Sequence, residues 1–137
     1  MREKKKWRWG ILIFQTQKDY GHSFGHAIES ATAYAVPHGI AVTIGADIAN
    51  YASWRMGFTA KEVYDELHVL LARNYRGFES VAIPEQDFFS AIGKDKKNRD
   101  DKLSLILMNG PGDLFRHQCE NDEKFRSICR EYFATRV

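Results

Sequence analysis

Apolar residues recur along the first part of the chain at the spacing of α-helices. Between about Ser23 and Tyr34 they form a single stripe, which Val36 and Pro37 interrupt. From about Gly39 to Arg55 a second helix is predicted, and it is apolar on most of its circumference. A helix of that kind is normally central and buried. The pattern therefore predicts one amphipathic helix followed by one core helix.

A third and a fourth helix follow. Thr59 and Glu62 have the spacing of a capping box, in which each side chain satisfies a free backbone donor of the other residue. Pro84 begins the fourth helical segment. The predicted core face of the third helix consists of Val63, Leu67, Leu70 and Leu71.

The end of the chain adds a short extended segment and a last helix. The string LSLILMNGPG, residues 103–112, predicts a strand ended by a turn. Asn121 is expected to cap the helix that follows, with Asp122 and Glu123 in its first turn. The predicted fold class is mainly α, with at most a short strand or hairpin near residues 103–115.

Length, composition and charge limit the classes of protein to which this chain can belong. With 137 residues, 44% hydrophobic and 28% charged, the chain fits one globular domain. A net charge of +2 is too small to indicate a nucleic-acid partner. No apolar run approaches the roughly 20 residues that span a bilayer, so no membrane role is expected. Cys119 and Cys129 form no CxxC pattern or disulfide framework, which favours a cytoplasmic protein.

Three of the five histidines fall within seventeen residues. His22 and His26 are one helical turn apart and so project from one face, while Pro37 can turn the chain to bring His38 back to them. Catalytic zinc usually takes three protein ligands and keeps one open position. The spacing alone leaves two alternatives, a metal site or histidines that hydrogen-bond to the backbone.

The surrounding sequence resembles a known family. The string YGHSFGHAIESATAYAVPHGIAVTIG resembles the GHTFGHAIE and PHGEAVAIG segments of 3-dehydroquinate synthases and related sugar phosphate cyclases. The later GKDKKN resembles their lysine-rich segment. The resemblance implies that residues 20–137 are the helical C-terminal, metal- and substrate-binding domain of that fold.

The resemblance also implies roles for single residues. His22 and His38 correspond to the zinc ligands, and cobalt or another divalent metal could take the place of zinc. His26 corresponds to a catalytic histidine beside the substrate. Substrate contacts are implied for the lysines of the charged loop, Lys94, Lys96 and Lys97.

The implied reaction belongs to the shikimate pathway. In these enzymes bound NAD oxidises a hydroxyl of a seven-carbon sugar acid phosphate, phosphate is eliminated, the ketone is reduced again, and an aldol step closes the carbocycle. Zinc acidifies the hydroxyl, a histidine moves protons, and lysines offset the charge of the phosphate. The expected partners are the sugar phosphate substrate and further copies of the chain in a homo-oligomer.

The chain departs from the family in several places. It has no GxGxxG after a strand, so these residues are not expected to contain the family's NAD-binding domain, which supplies the third, acidic zinc ligand. NAD is therefore expected only with a separate nucleotide-binding domain or chain. Residues 1–19, basic and aromatic at their start, do not follow the family: Gln15 and Asp19 replace an arginine and an asparagine. Ile40 replaces the glutamate that commonly follows PHG.

These departures leave alternatives open. The chain is interpreted as part of an enzyme that is inactive alone, as a non-catalytic remnant or assembly partner that retains the fold, or as a cyclase for another substrate, of the inosose or valiolone type. The iron-dependent alcohol dehydrogenase group also has HxxxH before a PHG histidine, but GHSFGHAIE favours the cyclases.

Glu29 either orients a histidine or lies on the exposed side of its helix. His68 and His117 are expected at the surface or hydrogen bonded, outside the site.

Overall fold

The computed structural model describes residues 20–94 and 102–135 of the chain. None of the helices in these ranges is long and apolar enough to cross a membrane. The helices and strands are α1 (His22–Ala31), α2 (His38–Arg55), α3 (Lys61–Asn74), α4 (Glu85–Gly93), β1 (Lys102–Gly110), β2 (Asp113–Glu120) and α5 (Glu123–Thr135). The predicted mainly α class is confirmed. The N-terminal segment 1–19 lies outside the described residues.

Helix α2 is the centre of the domain, as its apolar sequence predicts. It packs against α1, α3, β1 and α5. Its aliphatic residues Ile44, Ile48, Ala49 and Ala52 are at most 1% exposed. Because α1, α3, β1 and α5 all pack against this helix, the positions of its residues determine where those elements can lie.

The C-terminal sheet is a two-stranded antiparallel hairpin. Leu103, Leu105 and Leu107 of β1 alternate into the core, and the backbone amide of Met108 donates to Ser53 Oγ of α2 at 3.0 Å. β2 runs to Glu120, beyond the predicted limit near residue 115. The residues of β2 are only half-buried or exposed, so its sequence carries a weak apolar pattern. The length of the strand is set by its pairing with β1.

Both predicted helix caps are wrong. α3 begins at Lys61 with Ala60 as its N-cap and no side-chain cap bond, because the Thr59 amide is already bonded to the Ser53 carbonyl at 3.3 Å. At α5, the capping acceptor is Asp122, whose Oδ1 accepts from the Phe125 amide at 3.0 Å. The predicted cap, Asn121, instead accepts from Arg126 Nε at 3.3 Å.

The predicted core face of α3 is only partly correct. Leu70 is 55% exposed, and the buried residue of this helix is Tyr64. The Tyr64 ring lies 5.3 Å from that of Tyr51 and 5.8 Å from that of Trp54, centre to centre. These aromatic contacts turn the helix so that Tyr64, rather than Leu70, faces α2.

Helices α1 and α2 touch through their backbones. A Cβ atom added to Gly45 of α2 would lie 2.2 Å from the Gly21 carbonyl oxygen and 2.7 Å from the Gly25 amide nitrogen. Gly21 itself has φ of 78°, in the left-handed region that glycine adopts without strain. Only glycine at these positions allows the two helices to approach so closely.

A buried polar cluster joins α3 and α5 to α2. The carboxylate of Asp47, fully buried, accepts at Oδ2 from Tyr75 at 2.9 Å and from Tyr132 at 2.8 Å. His68 Nδ1 lies 2.8 Å from the same oxygen. Burying a carboxylate is costly unless donors compensate it. The cluster therefore stabilises one arrangement of three helices, and it places His68 in a hydrogen bond, as expected.

We predict that Gly45→Ala destabilises the domain by about 3 kcal/mol, because the new methyl group would overlap the α1 backbone, which cannot move aside without displacing the helix. Urea denaturation measures the effect. Gly39→Ala is the matched control: an added Cβ there meets nothing within 4 Å, so its stability should stay the same or rise by up to about 1 kcal/mol. Equal midpoints for the two variants would contradict the backbone contact.

We predict that Tyr132→Phe lowers the free energy of unfolding by roughly 1.5–3 kcal/mol, since it removes a hydrogen bond to a buried carboxylate. The 73% exposed Tyr34 provides the control, and Tyr34→Phe should change stability by no more than about 0.5 kcal/mol. Thermal and urea unfolding of the two proteins measure the difference. A loss no larger than that of the control would show that the Asp47 cluster contributes little.

Candidate metal centre

Three histidine rings converge where the N-terminus of α2 meets α1. The ring centres of His22 and His26 are 5.7 Å apart, those of His22 and His38 5.9 Å, and those of His26 and His38 6.0 Å. Zinc–nitrogen bonds of about 2.0–2.1 Å at tetrahedral angles place ring centres roughly 5 Å apart. The three imidazoles thus lie within about an ångström of the spacing at which they would share one ion.

Local structure explains how the third histidine reaches the other two. α1 ends at Ala31, and the chain turns through Ala33 and Tyr34, both in the left-handed region with φ of 52° and 64°. Pro37, with φ of −60°, is the N-cap of α2 and makes His38 its first residue. The expectation that Pro37 turns His38 back toward α1 is confirmed.

The site opens to solvent on one side. His26 and His38 are exposed, whereas His22 is half-buried with its Nδ1 atom enclosed by protein. An exposed cluster on helix ends can hold a metal ion and leave coordination positions for ligands from outside the domain. The residues present therefore fit a divalent metal.

Glu29 is the carboxylate of this site. Its Oε1 atom lies 2.7 Å from His38 Nδ1. Ligand atoms of His26, Glu29 and His38 all lie within 4.8 Å of one another, the arrangement of a group that could hold a metal, and this group does not include His22, one of the two predicted ligands. Of the two sequence interpretations of Glu29, the structure agrees with contact to a histidine and contradicts a position on the exposed side of α1.

The predicted substrate lysines are only partly within the described residues. Lys94 is exposed and follows the last residue of α4, which packs against α1, the helix that carries His22 and His26. Lys96 and Lys97 lie outside the described residues. The role of all three lysines in substrate binding stays a prediction.

Other metal-binding side chains of the described segments lie elsewhere in the fold. His117 packs against Phe58 and Phe115 on the hairpin, with ring centres 5.1 and 6.1 Å away. Both cysteines are free thiols. Burial raises the pKa of Cys119 to about 11 and that of Cys129 further still, so both stay protonated at neutral pH and lack the thiolate that binds metals.

Solved structures with the same fold come from the sugar phosphate cyclases. Two structures of 2-deoxy-scyllo-inosose synthase superpose with TM-scores of 0.67 and 0.65, at 21% and 25% identity. They cover 84% and 82% of this chain, and 33% and 31% of their own chains. The first is a complex with carbaglucose-6-phosphate, NAD+ and Co2+. The fold is thus that of the helical C-terminal domain of a sugar phosphate cyclase.

The sequence comparisons identify the family. The family model described as 3-dehydroquinate synthase C-terminal matches residues 16–98, and the chain belongs to that family. The 3-dehydroquinate synthase of Chlorobaculum parvum is 34% identical over 108 residues, and that of Halorhodospira halophila 38% over 94 residues. These alignments cover 74% and 68% of this chain but only 29% and 27% of the relatives. The chain therefore spans less than a third of the length of these enzymes.

Proposed function

We propose that this chain is the metal- and substrate-binding part of a 3-dehydroquinate synthase-like enzyme, which acts together with a nucleotide-binding domain that holds NAD. The observation that carries the proposal is the convergence of His22, His26 and His38 from two helices, with ring centres 5.7–6.0 Å apart. The Co2+ and NAD+ in the structure of a related cyclase support it.

The histidines divide between binding and proton transfer in this proposal. His22 and His38 hold a zinc or cobalt ion, which supplies Lewis acidity at a substrate hydroxyl when it is bound. His26 is exposed and lies on the same face of α1, where it can reach substrate and transfer protons during phosphate elimination.

The lysines complete the substrate site. Lys94, Lys96 and Lys97 offset the charge of the sugar phosphate and of the departing phosphate. The remaining requirements, NAD and an acidic metal ligand, come from the nucleotide-binding domain, which in the family precedes this region. The isolated chain is therefore expected to bind metal but not to turn over substrate.

The identity of the sugar phosphate has a second candidate. Ile40, the third residue of α2, packs against the hydrophobic core, whereas 3-dehydroquinate synthases commonly have a glutamate there. The alternative is a related cyclase that acts on a hexose phosphate, and the likeness of the fold to 2-deoxy-scyllo-inosose synthase in complex with carbaglucose-6-phosphate supports it.

We predict that the chain binds one equivalent of zinc, and that His22→Ala and His38→Ala abolish this uptake while His26→Ala retains it. Elemental analysis after gel filtration gives the metal content of each variant. His117→Ala, which removes a histidine from the hairpin, serves as the control and should retain zinc. Equal metal content in the three site variants would refute the assignment of ligands.

We predict NAD-dependent phosphate release only when the chain is combined with a separately produced nucleotide-binding domain of a 3-dehydroquinate synthase. The assay compares a seven-carbon sugar acid phosphate with a hexose 6-phosphate, and the preferred substrate distinguishes the two candidate activities. His26→Ala should lower the rate by roughly 100-fold or more with unchanged zinc content, as expected for an acid–base residue. Intact zinc binding without turnover of either substrate would instead indicate a non-catalytic remnant.

A further inference from the structure

Glu29 and His38 form a close polar contact within the histidine cluster. Glu29 lies three residues after His26 and seven after His22, so it continues the same face of α1 toward the N-terminus of α2. Its Oε1 atom is 2.7 Å from His38 Nδ1. The Glu29 side chain is 13% exposed and that of His38 59% exposed, so the carboxylate is the more enclosed member of the pair.

The contact determines which nitrogen of His38 carries a proton. An ionised carboxylate has only acceptor atoms, so His38 Nδ1 must donate to it. A neutral imidazole that donates from Nδ1 has its lone pair on Nε2. The side chain of Glu29 thus makes Nε2 the metal-binding atom of His38.

The distance also argues against Glu29 as a metal ligand beside His38 Nδ1. Two ligand atoms on one tetrahedral zinc, with bonds of about 2.0–2.1 Å, lie roughly 3.3–3.4 Å apart. The 2.7 Å between Oε1 and Nδ1 is a charge-assisted hydrogen bond. A shared ion between these two atoms would require them to separate.

We propose that Glu29 is a positioning residue: it holds His38 as the Nδ1–H tautomer and directs Nε2 to the metal. The proposal rests on the metal-binding role proposed above and extends it to a residue that does not itself touch the ion. Carboxylate–histidine–metal arrangements of this kind raise the basicity of the ligand and restrict its rotation.

The first test measures zinc affinity by competition with a chelator. Glu29→Ala should weaken binding by about 10–100-fold, whereas Glu29→Gln, which retains a carbonyl acceptor for the Nδ1 proton, should stay nearer to the wild type. Glu66→Ala, at an exposed position of α3, is the control and should leave the affinity unchanged. Circular dichroism verifies that each variant is folded.

The second test needs no metal. Nitrogen-15 correlation spectra of the histidine rings at about pH 8, where imidazoles are neutral, report the tautomer of each ring in the metal-free chain. His38 should be protonated at Nδ1 in the wild type and in Glu29→Gln, and Glu29→Ala should release this preference. A wild-type His38 protonated at Nε2 would overturn the proposal.

The outcomes separate this inference from the proposed function. Wild-type affinity in Glu29→Ala, together with loss of zinc in His38→Ala, would overturn the role of Glu29 and leave the metal site intact. Equal losses in Glu29→Ala and Glu29→Gln would identify Glu29 as a direct ligand and also overturn it. Failure of the wild-type chain to bind zinc would remove the metal site itself and, with it, the positioning role.

Discussion

The close approach of two helix backbones is the constraint on which the candidate site depends. Gly45 of α2 lies against Gly21 and Gly25 of α1 so tightly that any side chain at Gly45 would overlap the other helix. This contact fixes how α1 crosses α2, and His22 and His26 are carried on the crossing helix. Because ligand geometry must hold to about half an ångström, the histidine cluster depends on this close packing of the two helices.

The opposite side of α2 is held by a different interaction. The buried carboxylate of Asp47 accepts hydrogen bonds from Tyr75 of the α3 C-cap and Tyr132 of α5 and contacts His68 of α3. Burial and the Asp47 charge both raise the pKa values of the nearby Tyr20 and Tyr64 hydroxyls, which therefore stay protonated. α2 is thus fixed by backbone packing on one face and by hydrogen bonds on another, a rigid base for a site at its N-terminus.

The open side of the histidine cluster agrees with the proposal that the chain acts as one part of a larger enzyme. The chain spans less than a third of the 3-dehydroquinate synthases it resembles, and the cluster exposes His26 and His38 to solvent. The proposed function gives this domain two metal ligands and an acid–base residue, while NAD and the third ligand come from a neighbouring domain, and that arrangement requires an open face. The 2.7 Å contact between Glu29 and His38 lies wholly within this chain, so the orientation of His38 that we propose does not require the other domain.

The sequence by itself determined the local features of this protein. Apolar periodicity predicted α1, α2 and the buried position of α2, and the GHSFGHAIE and PHG motifs predicted which histidines meet, because both depend on residues close in the chain. Tertiary structure decided the rest. Leu70 faces solvent because the Tyr64 ring packs against the aromatic rings of α2. Asp122, rather than Asn121, caps α5. Glu29 contacts His38. Each of these results depends on partners brought together only by folding, where packing and competition for hydrogen bonds override local preference.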